Sequence, residues 1–70
     1  METKTLGDEL PREMARVRDK VMPVYQSIGT AGALALAMMR ADLDAAARAM
    51  AEGDVVAMLR AYESLKGYDT

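Results

Sequence analysis

The chain contains no cysteine, no histidine, no phenylalanine and no tryptophan. Without cysteine there is neither a disulfide nor a thiolate, and without histidine the commonest metal ligand and general base is missing. Cys/His zinc sites and Cys–His or Ser–His catalysis are excluded. Absent cysteine also fits a cytoplasmic protein. Long apolar runs are missing too. The longest, residues 31–39, is nine residues, about half of what a membrane-spanning helix needs. The opening METKTLGDE lacks the apolar core of a signal peptide. The expectation is a soluble, cytoplasmic protein with no membrane segment.

What is present is alanine, methionine and charge. Hydrophobic residues make up 51% of the 70 residues, and seven of them are methionine, which suits a helical protein with small side chains and an adaptable core. The net charge of −2 argues against general attraction to nucleic acid or to anionic membrane. A chain of this length makes one domain with a marginal core, and such scaffolds need a staple. With disulfides excluded, a partner subunit is the staple that remains.

Residues 1–7 show no periodicity and read as a disordered tail, leaving 8–70 as a single helical domain. Glycines divide that domain into three helical segments. The first runs from Asp8 or Pro11 to Ile28. Its apolar residues Leu10, Met14, Val17, Val21, Val24 and Ile28 form a heptad seam. Pro23 has no N–H to give the carbonyl of Asp19, so the helix is expected to kink or break there. Gly29 suits a left-handed helix end, with Ser27 or Thr30 capping the next helix. The second segment, Thr30 to Glu52, carries the seam Leu36, Met39, Leu43, Ala46 and Met50. Gly53 and Asp54 form a tight turn into the third, so the last two segments are an antiparallel αα-hairpin. Val55, Met58, Tyr62 and Leu65 are its seam, and Gly67 ends it. The fold class is therefore all-α, three helices with a C-terminal hairpin and a kinked first helix.

The stretch TAGALALAMM, residues 30–39, has no charge. Leu36 and Met39 point one way, while Leu34 and Met38 lie on another side. Small residues recur along the same helix at Gly29, Ala33, Ala37, Ala41, Ala45 and Ala49, a ridge that permits close helix approach. A helix that is apolar all round is normally buried all round, and two short neighbours cannot cover it. The expected cover is a second copy of the chain, a homodimer whose interface uses Ala33, Leu34, Ala37, Met38, Ala41 and Ala45. The alternatives are scattered surface apolar residues on a monomer, or a surface for a different protein.

No residue set marks an active site. The carboxylates have sufficient structural roles as caps and helix-surface pairs, and Ser27, Thr30 and Ser64 lack an activating base. GTAG at 29–32 is a helix start and not a phosphate loop. No catalytic residue, metal site or cofactor is expected. Asp42 lies closest to the apolar faces, and a rim pairing with an arginine of another helix is the expected arrangement. Arg12, Arg16, Arg18 and Lys20 form a basic cluster on the first helix. It reads as a solvated face balanced by Glu9, Glu13 and Asp19, or as a docking surface for an acidic partner or for phosphates. No stacking aromatic accompanies it, so nucleic acid is the lesser possibility. Tyr25 and Tyr62 fall beside apolar faces, and Tyr25 joins the basic residues as a candidate partner contact. Tyr68 is expected to fold back onto Tyr62.

The runs ELPREMARVRD (9–19), SIGTAG (27–32) and EGDVVAMLRAYESLKG (52–67) resemble a group of small proteins encoded by bacterial prophages and phage-like regions. The resemblance covers nearly the whole chain from residue 9, and its motifs are helix starts and turns that carry no catalytic residue. It implies a setting in which small accessory proteins act by binding a host protein, for instance to inhibit a defence system. The function expected is a non-enzymatic protein–protein interaction module, which the resemblance implies to be a phage-encoded modulator or inhibitor of a host protein; the alternative is a small nucleic-acid-binding regulator using the basic stripe.

Overall fold

The computed structural model describes residues 5–69, and the part of the expected tail at residues 1–4 lies outside them. Among the described residues the fold is all-α, without strands. A first rod consists of α1 (Leu6–Arg16), a π-helical turn (Val17–Val21) and α2 (Met22–Ser27); a 3₁₀ turn (Gly29–Gly32) leads into α3 (Ala33–Glu52), and α4 (Val55–Lys66) completes the chain. The expected hairpin is formed by α3 and α4.

The first helix begins earlier than the sequence suggests. Thr5 is its N-cap, its Oγ1 accepting from the Asp8 amide at 3.2 Å. This satisfies one of the free amides of the first turn. Asp8 and Glu9 then stand in that turn, where the helix dipole favours a carboxylate. Residues 5–7, expected in the tail, thus belong to the cap and first turn.

The middle of the rod departs from the heptad. Leu10, Val17 and Val21 are buried as the seam requires, but Val24 and Ile28 are 47% and 53% exposed. Met22 is buried and Tyr25 half-buried in their place. The π turn is the reason. Its Met22 amide reaches back five residues to the Val17 carbonyl, so one extra residue is accommodated. One residue is about 100° of helix. Everything after the turn is therefore rotated, and position 25 takes the direction a regular helix gives to 24. Helical backbone continues through Pro23, which stands at the start of α2.

At the corner between α2 and α3, Gly29 adopts φ 67°, a left-handed conformation that costs glycine little. Neither Ser27 nor Thr30 caps α3, whose N-terminus has no side-chain cap. The Ser27 hydroxyl instead donates to the Val24 carbonyl at 2.6 Å. The corner closes on Gly32. A Cβ there would lie 2.3 Å from the Tyr25 carbonyl oxygen, so only glycine permits this approach.

The α3–α4 turn follows the sequence closely. Gly53 has φ 67° and its amide donates to the Met50 carbonyl, while the Asp54 amide donates to Ala49 at 3.0 Å. These two bonds make a Schellman end. Asp54 then caps α4, its Oδ1 accepting from the Ala57 amide at 3.1 Å. Along α3 the buried residues are Leu36, Met39, Ala46 and Ala49. Ala49 is buried in place of the expected Met50, which is 38% exposed. Ala61 and Leu65 of α4 close the core, with Met58 and Tyr62 packed at its edge. Lys66 lies 5.3 Å from the centroid of the Tyr62 ring, a cation–π contact at the end of α4.

Candidate interaction surfaces

The 20 residues of α3 form a rod about 30 Å long. Its core side is set by Leu36, Met39 and Ala46. Helical geometry places Leu34, Ala37, Met38, Ala41 and Ala45 within an arc of about 100° on the far side, with Ala33 at the edge. All six are exposed, Leu34 by 74% and Met38 by 53%. Among the described residues no helix covers them. Arg40, Asp44, Arg48 and Glu52 wind around the same helix, all exposed, and reach this face only near its C-terminal end. There Arg48 Nη2 lies 2.8 Å from Asp44 Oδ2. The N-terminal part of the face is free of charge.

The basic cluster of the first rod is divided by the fold. Arg12, Arg16 and Lys20, together with Ala15 and Asp19, line an open cleft of about 370 Å³. Arg18 is paired with its neighbour, Nε to Asp19 Oδ1 at 3.0 Å. That hydrogen bond holds the Asp19 carboxyl below its ordinary range and the Arg18 guanidinium above its own. Arg12 Nη1 lies 3.6 Å from Glu9 Oε1. Tyr25 is half-buried against the core; it is not an exposed anchor.

Arg16 has a different task. Its Nε donates to Glu13 Oε1 at 3.1 Å, and its Nη2 donates to the carbonyls of Leu65 at 3.0 Å and Tyr68 at 2.8 Å. The guanidinium thereby gives the Leu65 carbonyl a donor besides the Tyr68 amide, which lies 3.2 Å from it, and gives the Tyr68 carbonyl just beyond α4 a donor of its own, at a helix end where the dipole also favours a cation. The Tyr68 hydroxyl donates to Asp42 Oδ2 on α3 at 2.6 Å. Burial and then the hydrogen bond and charge of Asp42 push the Tyr68 phenol up to about 12. Tyr68 therefore crosses to Asp42, where the sequence suggested Tyr62, and Asp42 is met by a tyrosine where an arginine was expected. One clasp ties α1, α3 and α4 together after the last helix.

Sequence reasoning missed this clasp. Arg16 and Tyr68 are far apart in the chain and no spacing rule links them. The one available signal was Asp42, a carboxylate beside an apolar stripe. No family model, curated protein or solved structure matches the chain. Among the described residues, no helix is long and apolar enough to cross a membrane.

Proposed function

We propose that the chain is a non-enzymatic protein–protein interaction module whose docking element is the outer face of α3. The observation that carries this reading is the exposure of Leu34 and Met38 on a charge-free stretch of helix. Exposed contiguous apolar surface on a small domain marks an interaction site, and burying it supplies the staple that so short a chain lacks. A phage-encoded modulator of a host protein is the form of this reading suggested by the resemblance of residues 9–19, 27–32 and 52–67. Docking through the basic stripe is weaker, because Arg16 is committed to the carbonyls of Leu65 and Tyr68.

Sedimentation of the wild type against Ala37→Glu tests the proposal. Ala37 is exposed in the single chain, so a glutamate there is harmless to a monomer. The expected result is assembly in the wild type at micromolar concentration, lost in the variant together with part of the thermal stability. A monomeric wild type, and a variant of unchanged stability, would overturn it.

A further inference from the structure

We draw no further inference here: the strongest candidate, the outer face of α3 around the exposed Leu34 and Met38, is an unpartnered apolar surface, and nothing in the structure shows what covers it.

Discussion

Arg16→Ala isolates the clasp that closes the helices on one another. The wild-type guanidinium makes two hydrogen bonds to backbone carbonyls and one to Glu13. Hydrogen bonds involving a charged group contribute about 1.5–3 kcal/mol each when fully counted. Here the Arg16 side chain is 31% exposed, the Leu65 carbonyl keeps the Tyr68 amide as a donor, and the Glu13 pair is a near-surface bridge worth about 0.2–1 kcal/mol. The net loss expected is about 2 kcal/mol. For a domain of this size that lowers Tm by roughly 8–16 °C. The assay is thermal unfolding at one fixed protein concentration, because any self-association would make Tm concentration-dependent. Hydrogen exchange should quicken first at the C-terminal turn of α4. Arg16→Lys should fall between the two, since an ammonium cannot serve both carbonyls with a planar fork. Arg18→Ala is the control, an exposed arginine paired only with its neighbour, and should leave Tm almost unchanged. If Arg16→Ala behaves like Arg18→Ala, the clasp contributes nothing to the fold.

Three further predictions follow from the same geometry. Gly32→Ala sets a Cβ against the Tyr25 carbonyl and should cost several kcal/mol, on the order of an overpacked core site, measured by denaturant midpoint; a loss no larger than that of an exposed helix substitution contradicts the tight corner. Asp54→Ala removes the α4 cap and should cost about 1 kcal/mol, with Asp54→Asn retaining most of it. Tyr68 holds its proton more tightly folded than unfolded, so its contribution is complete below pH 10 and is lost as pH rises toward about 12. For a partly exposed phenol this amounts to about 1 kcal/mol after solvent screening. Tyr68→Phe should be less stable than wild type at neutral pH, and the difference should vanish over that alkaline window; a constant difference contradicts the assignment.

Most of the secondary structure was legible because its signals are local. Gly53 and Asp54 make the turn and cap that their residue types favour, and Leu36, Met39 and Leu65 point where periodicity places them, whereas Val55 of the expected α4 seam is 66% exposed and Ala61, outside that seam, is buried. Pro23 pointed to a kink or break at residues 22–23, whereas the helix runs through it and the irregularity is the π turn at Val17–Val21, which residue type alone does not announce. That single rotation moved Val24 and Ile28 into solvent and brought Met22 and Tyr25 inward. The Thr5 cap was passed over because Leu6 and Gly7 lack helical periodicity. Gly32 looked like an ordinary glycine, since its close neighbour belongs to a different helix. The clasp is illegible for the same reason: Arg16, Asp42 and Tyr68 meet only through tertiary packing. Leu34 and Met38 stand on the side of α3 away from Leu36 and Met39, as helical spacing places them, and both are exposed in the single chain.

Solvent access to the Met38 methyl tests the central claim most directly. Met39 is its neighbour and is fully buried, while Met38 in the single chain is 53% exposed. Relaxation of the two methyl signals by a soluble paramagnetic agent reads both sites in one spectrum. If α3 docks, Met38 is shielded nearly as well as Met39 in concentrated solution and becomes accessible on dilution or in Ala37→Glu. A Met38 methyl open to the agent at every concentration would show that nothing docks on α3.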